Sequence, residues 1–454
     1  METTAIAESV PLAEPVQQRD RISAVDTLRG FALLGILAMN ITSFALYERF
    51  DYRPIMLGNM SKGNLILWAA RFVLFDGKMR ALFSMLFGAG VVLLTSRLEK
   101  RGEGARSADI FLRRNLWLLA IGVIHGFFLW WGDILYTYAL TGLLFLYPCR
   151  KLSARKLIGA GLAVLAIGSV YFGVRYEMRK QLEQRALIAK AMESAGKQLT
   201  DEQKEDLKAR QRSFERWYPD QAALDKDNAE MRSGYLTVMK RNAATTMDVQ
   251  STSYYRLGFC DALGMMLIGM GLLSAGFLSA QLPWRVYVWM TVIGYGIGLP
   301  VGVLSTWVAW RHGFDILAIM KWEFLPYDLQ RLTTALGHAS VVLMIVKAGA
   351  LRWITRPLAA VGQTALSNYL GTSVICALIF NGYGFGLFGK LQFYKLFYVV
   401  AGVWALNLIV SPIWLKHFQF GPVEWVWRSL TYWKAQPMRR VRAATEAGAL
   451  PAEA

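Results

Sequence analysis

The chain has 454 residues, of which 55% are apolar and 18% charged, against roughly 45–50% and about 25% in an average soluble domain. Lys and Arg number 50 and Asp and Glu 32, a formal net charge of +18, and the apolar residues gather into runs of about twenty, the length that crosses a bilayer. Disorder, collagen, a disulfide scaffold and a water-soluble enzyme are excluded; an all-α polytopic integral membrane protein remains.

Residues 1–20 contain Pro, Glu and Ala without a basic start, and read as a disordered cytoplasmic leader. Ten candidate spans follow, at about 27–46, 79–96, 113–131, 133–149, 156–174, 258–279, 285–307, 329–346, 358–380 and 395–415. Basic residues fall on alternate connections: Arg19, Arg21 and Arg29; Arg97 to Arg114; Arg150 to Lys156; Lys347 to Arg356; and the tail from Lys416. Short cytoplasmic loops collect such charge, so ten helices with both termini in the cytoplasm are expected. The basic balance is then topological, and no nucleic-acid partner is expected. The organisation is a first helical half over 21–176, a charged helical outer insertion over 177–250, a second half over 251–434, and a cytoplasmic tail over 435–454.

Two spans are irregular. Leu65 to Phe75 is apolar but too short to cross, and Asp76-Gly77-Lys78-Met79-Arg80 interrupts before the next run. A broken or re-entrant helix is the favoured reading, because Gly77 separates two apolar stretches; a short outer interfacial helix is the alternative. Pro412 should kink the last span, and the segment from Phe420 to Arg428 reads as an interfacial helix with Trp425 and Trp427 at headgroup level and a Glu424–Arg428 pair. Within 177–250, Leu182, Ala186, Ala189 and Met192 keep a helical spacing, with breaks at Gly196 and Pro219. A solvated insertion is expected there, with capping of an outer opening or holding of a partner as alternatives.

The spacing of Gly384, Gly386 and Gly389 mimics a dinucleotide loop, but no strand precedes it. Gly294, Gly298 and Gly302 suit close helix packing. Cys149, Cys260 and Cys376 read as small core residues, and the four histidines have no metal-ligand spacing, so no metal is expected. Polar groups inside apolar helices are costly and mark sites. By the expected topology Asn40, Arg80, His125, Asp133, Asp261 and Arg331 share the outer half, while Arg29 is either a site residue or a snorkelling anchor. Asn368 and Asn407 read as interhelical hydrogen-bonding residues. His125 is the sharpest candidate: imidazole titrates near neutrality, and the nearby Asp133 can fix its tautomer.

The run from Arg21 to Asn40 (RISAVDTLRGFALLGILAMN) resembles the opening of the YeiB-like bacterial membrane proteins, a domain of unknown function numbered 418. The blocks Arg80 to Gly90, His125 with Trp131 to Leu135, Ala365 to Tyr369, and Gly421 to Arg428 are similar to further blocks of that family, over about residues 20–434. The resemblance implies a multi-pass protein of the bacterial inner membrane and a distant relation to transmembrane acyltransferases, which move acyl groups from cytoplasmic acyl-CoA to sugars across the membrane. One such group carries a catalytic His separated by ten residues from the Arg of the first helix; here that place, counted from Arg29, holds Asn40, so the base would come from His125. The implied function is transfer of an acyl group from acyl-CoA to a small-molecule or glycan acceptor at the outer face. Arg29, Arg113 and Arg114 would meet the CoA phosphates; His125 with Asp133 would be the base; Arg80 or Asn40 would steady the oxyanion. Membrane lipid would surround the chain. The alternative is a transporter or exporter of a small polar metabolite, with the same polar residues lining its path.

Overall fold

Regular structure is entirely helical within the described residues, 22–57 and 60–440 of a computed structural model. The expected leader and the end of the expected tail lie outside them. The helices, in chain order, are α1 (Ser23–Ala45), α2 (Lys62–Leu74), α3 (Lys78–Lys100), α4 (Ser107–Phe128), α5 (Leu135–Cys149), α6 (Ala154–Ser194), α7 (Asp201–Trp217) and α8 (Gln221–Met231). Then come α9 (Tyr235–Asp248), α10 (Phe259–Ser274), α11 (Trp284–Arg311), α12 (Tyr327–Lys347), α13 (Arg352–Gln363), α14 (Ala365–Phe380), α15 (Phe393–His417) and α16 (Pro422–Tyr432). Among the described residues seven helical runs are long and apolar enough to cross a membrane, and nine if each of two bent pairs counts as one crossing. The surface agrees: Val170 on α6, Trp289 on α11 and Tyr398 on α15 are each more than 60% exposed, an apolar exterior that water would not tolerate but lipid does. The chain is an all-α polytopic membrane protein.

Two candidate spans differ from their sequence reading, and a third is broken at Gly77 as its sequence reading has it. The 133–149 run forms only the short α5, with a π-helical stretch at Gly142–Leu146. The 358–380 run is two helices bent by 86° about Thr364. The 79–96 run belongs to a 39-residue stretch, Lys62–Lys100, interrupted between α2 and α3 where Gly77 takes φ +69°. That conformation is costly for any residue with a Cβ, and it turns Lys78 inward to donate to the Phe72 carbonyl at 2.7 Å.

Backbone proximity holds the bundle together. A Cβ at Gly30 would strike the Leu358 carbonyl and one at Gly362 the Asp26 carbonyl, so α1 and α13 cross at a pair of glycines. Gly88 and Gly269 serve α3 and α10 in the same way, against Met266 and Met85. Gly294, Gly298 and Gly302 face α12 through Gly337, Thr334 and Gln330, which is the packing role their spacing suggests. Asn368 donates to Ser411 at 2.9 Å and Asn407 to Thr372 at 3.4 Å, tying α14 to α15.

The 177–250 segment is mostly exposed, and it docks on the bundle at defined points. Its breaks fall at Gly196 and Pro219, and Thr200 and Gln203 form a capping box at the start of α7. Ala186 and Ala189 are buried, while Arg179 and Arg210 pair with Glu183 and Arg185 with Asp206, joining α6 to α7. On α9, Tyr235, Asn242 and Thr246 donate to the carbonyls of Phe128, Leu129 and Gly126 at 2.9, 3.1 and 2.8 Å. The insertion, into which α6 itself extends, therefore docks over the end of α4.

Gly269→Val, which drives a branched side chain into the Met85 carbonyl, should lower the thermal midpoint in detergent by an amount corresponding to about 1–3 kcal/mol. Gly159→Ala, where nothing lies within 4 Å of the added methyl, should leave it unchanged.

Candidate functional site

Two cavities open at opposite ends of the bundle. The first, about 220 Å³, lies at the end with the basic loops, between the starts of α1 and α4, the end of α3, and α16. Arg29, Arg97, Arg114 and Arg428 line it, with Tyr138 and Tyr369 also among its lining residues. Arg29 pairs with Asp26 at 2.9 Å. Arg114 lies 4.1 Å from the centroid of the Trp427 ring, whose indole N–H donates to the Arg114 carbonyl at 2.9 Å. Trp427 is thus buried against α4. Arg113 does not join this cavity; it turns away and pairs with Asp109 across one turn of α4.

Glu424 shapes the same end. Its carboxylate accepts the Leu366 N–H at 2.6 Å and the Ser367 N–H at 3.2 Å, and also meets the Ser367 hydroxyl. It caps the first turn of α14 just beyond the 86° bend, where the break leaves amides without helical partners.

The second cavity, about 810 Å³, lies at the insertion end. Its inner wall holds Asp76, Arg80, Asp261, Asp328 and Arg331; Arg175 of α6 lines it just before the insertion, which supplies Arg179, Arg216 and Trp217. Arg331, which is 1% exposed, pairs with Asp261 and, at 2.6 Å, with Asp328. Arg80 reaches Asp261 at 3.3 Å and the Tyr327 hydroxyl at 3.0 Å. Arg80, Asp261 and Arg331 therefore meet as their shared depth suggested. Between the cavities the Tyr138 hydroxyl contacts Ser84 Oγ at 2.5 Å and donates to the Arg80 carbonyl at 3.2 Å.

His125 and Asp133 stand apart from that cluster. Nδ1 of His125 lies 2.8 Å from one Asp133 oxygen, and the other oxygen accepts the Tyr136 N–H at 2.8 Å. The tight Trp130–Gly132 turn between α4 and α5 brings the pair together from only eight residues apart. Both are buried, and His125 Nε2 has no hydrogen-bond partner among the described residues. The Tyr369 ring, with its centroid 5.2 Å from that of His125, separates the dyad from the first cavity. On its other side Tyr369 borders a pocket of about 20 Å³ that also contains Asn40 and Trp130. His125 is eleven residues beyond Arg114, about 16 Å deeper at 1.5 Å per residue. The sequence-predicted residues thus fall into three neighbouring groups rather than one: Arg29 with Arg114, His125 with Asp133 near Asn40, and Arg80 with Asp261 and Arg331.

Several contributors escaped sequence reading. Arg71 is 1% exposed, bonded to the Met39 carbonyl at 2.7 Å and paired with Asp51 at 2.8 Å; its charge in an apolar stretch was the available signal. Burial pushes the Asp51 carboxyl above its usual range despite the adjacent Arg71. Tyr369 carries no sequence signal beyond its place in a resembling block, and the spacing of Glu424 points to Arg428 but not to its partners Leu366 and Ser367.

The architecture defines a polytopic membrane protein with a charged cavity at each end and a buried His–Asp pair between them. The chain belongs to the family described as "Protein of unknown function (DUF418)", which matches residues 272–434. It is 30% identical over 431 residues to the uncharacterized protein YeiB of Escherichia coli (strain K12), covering 92% of this chain and 98% of that one. It is 28% identical over 441 residues to the uncharacterized protein YxaH of Bacillus subtilis (strain 168), covering 94% and 98%. No solved structure matches.

Burial raises the Glu424 carboxyl above its ordinary value of 4.5, against the opposing pull of its hydrogen bonds. A folded state that holds the proton more tightly keeps this contribution whole below the ordinary value and loses it as pH rises through the raised one. Thermal midpoints from about pH 5 to about pH 8 should therefore fall more steeply for the wild type than for Glu424→Gln, the neutral isostere.

Proposed function

We propose that the protein is an acyltransferase of the bacterial inner membrane that moves an acyl group from acyl-CoA to an acceptor at the insertion end. The observation that carries this reading is the buried His125–Asp133 pair with its free Nε2, one tyrosine ring away from an arginine-lined cavity. The cavity suits the donor. Arg29 and Arg114, with Arg97 and Arg428, offer guanidinium groups for its phosphates. The pantetheine arm extends over about half of a 30 Å hydrocarbon layer, and this matches the depth of His125 below Arg114.

Asp133 holds Nδ1 of His125 as the protonated nitrogen, which leaves Nε2 as the base. A swing of the Tyr369 ring opens Nε2 to the cavity. The acceptor oxygen or nitrogen attacks the thioester carbonyl carbon while Nε2 takes its proton, and the Asn40 amide donates to the carbonyl oxygen as negative charge develops. The carbon–sulfur bond then breaks, and the proton passes from Nε2 to the departing thiolate, leaving acylated acceptor and free CoA. Arg80, held at the second cavity by Asp261 and Tyr327, serves the acceptor side rather than the oxyanion. A second reading, transport of a small polar metabolite, draws on the two opposed cavities parted by the Ser84–Tyr138–Arg80 layer.

Acetyl-CoA should raise the thermal midpoint of the purified protein saturably, with affinity about tenfold or more weaker in Arg29→Gln and Arg114→Gln. His125→Gln should keep that shift while incorporation of label from radioactive acetyl-CoA into inverted membrane vesicles falls by about 10²–10⁴-fold. If neither acetyl-CoA nor CoA shifts a cooperatively unfolding protein, acyl transfer is excluded and transport becomes the better reading.

A further inference from the structure

The second cavity contains groups that its own ion pairs leave unserved. Glu323, in the π-helical stretch Met320–Phe324 before α12, is 1% exposed and lines the cavity, yet neither carboxylate oxygen has a hydrogen-bond partner among the described residues. Trp217, at the end of α7, is 7% exposed and lines the same space, and its indole N–H is likewise unpartnered. Leaving such groups dry is costly, and more so for a charge, so the site is built for something that supplies a donor to Glu323 and an acceptor to Trp217. Burial, with Asp76 nearby, pushes the Glu323 carboxyl well above its usual range, against the pull of Lys78.

The cations divide in two. Arg80, Arg179 and Arg331 are committed to Asp261, Glu183 and Asp328. Arg175, Arg216 and Arg256, from α6, α7 and the segment before α10, line the cavity with no carboxylate within ion-pair distance among the described residues, and Arg175 touches only Tyr171. Three exposed guanidinium groups from three different elements on one cavity supply the forked donors that bind phosphate oxygens in pairs. Aromatic rings flank them: Trp217 stacks on Tyr52 with centroids 6.1 Å apart, and Tyr52 meets Phe324 edge-on at 5.2 Å.

We infer that the second cavity binds a phosphate ester with a hydroxyl-bearing body, the phosphoryl group held by Arg175, Arg216 and Arg256 and the body bonded to Glu323 and Trp217. A volume of about 810 Å³ lies in the upper part of the usual range for small-ligand sites. The inference concerns what occupies the cavity and does not rest on acyl transfer; where both hold, the ligand is the acceptor.

Calorimetric titration of the full chain in phosphatidylcholine nanodiscs tests it, with glucose 1-phosphate, glucose and inorganic phosphate as probes. Glucose 1-phosphate should bind saturably, glucose about tenfold or more weakly, and the Arg216→Gln/Arg256→Gln double variant, at exposed positions, should lose about tenfold or more in affinity for the ester. Glu323→Gln should weaken glucose 1-phosphate but leave inorganic phosphate within about twofold. In nanodiscs containing phosphatidylglycerol, competition with glucose 1-phosphate identifies a lipid headgroup as the source of the phosphate, and unchanged binding identifies a free ester. Absence of saturable binding by either phosphorylated probe, or a double variant that binds as the wild type does, overturns the inference. CoA binding at the opposite end is read separately and is unaffected by either outcome.

Discussion

An apolar bundle rarely leaves a charge alone, and most of this structure follows from that constraint. A buried ion without a partner costs several kcal/mol, so Arg71, Arg331 and Lys78, carried inward on helices, are each met by other groups, and Glu323 is the exception among the described residues. Arg71 of α2 is met by Asp51 and by the α1 carbonyl of Met39. Arg331 of α12 is met by Asp261 of α10 and by Asp328, and Lys78 by the carbonyl of Phe72. These pairs act as cross-ties between helices whose apolar faces alone would slide past one another in lipid. The glycine crossings serve the same end, because a polar tie reaches its partner only when the backbones lie close.

The constraint also separates polar groups whose bonding the fold satisfies from those it does not. His338 looks like a site residue on its helix, but it is bonded at both nitrogens, to Tyr295 and to the Leu74 carbonyl, each at 2.8 Å. It is a tie between α12, α11 and α2. His125 is bonded at one nitrogen only. The difference in unmet bonding capacity, rather than burial or depth, sets His125 and Glu323 apart from polar neighbours that the fold has already satisfied.

How far the sequence could be read depends on how far apart the cooperating residues are. The apolar runs are local, so the helices and the break at Gly77 were legible, as were the turns at Gly196 and Pro219. The His125–Asp133 pair was legible because one tight turn joins its members. By contrast, the 86° bend at Thr364 depends on Glu424, about sixty residues later, capping the new helix start. Nothing in the 358–380 run shows that cap, and the run therefore reads as a single span. The same distance hid Trp427: its helix has the composition of an interfacial segment, and only the approach of Arg114 from α4 draws it inside. Arg113 and Arg114 are adjacent in sequence and equally basic, but neighbours on a helix point about 100° apart, so one faces the cavity and the other Asp109.

Depth along the bundle could be estimated from residue counts, but lateral grouping could not. Asn40, Arg80, His125, Asp133, Asp261 and Arg331 are expected at one level from their sequence positions, and that reading leaves open whether they meet in one pocket. The helices that carry them surround the level rather than converge on one point, so the six divide between the His125 pair and the Arg331 network, with Asn40 in the small pocket beside Tyr369. That division has a chemical consequence. A base works best with few competing charges, whereas binding of a charged ligand needs many. In the proposed reaction, the place of His125 behind Tyr369, apart from the arginines of both cavities, meets the two requirements within one bundle.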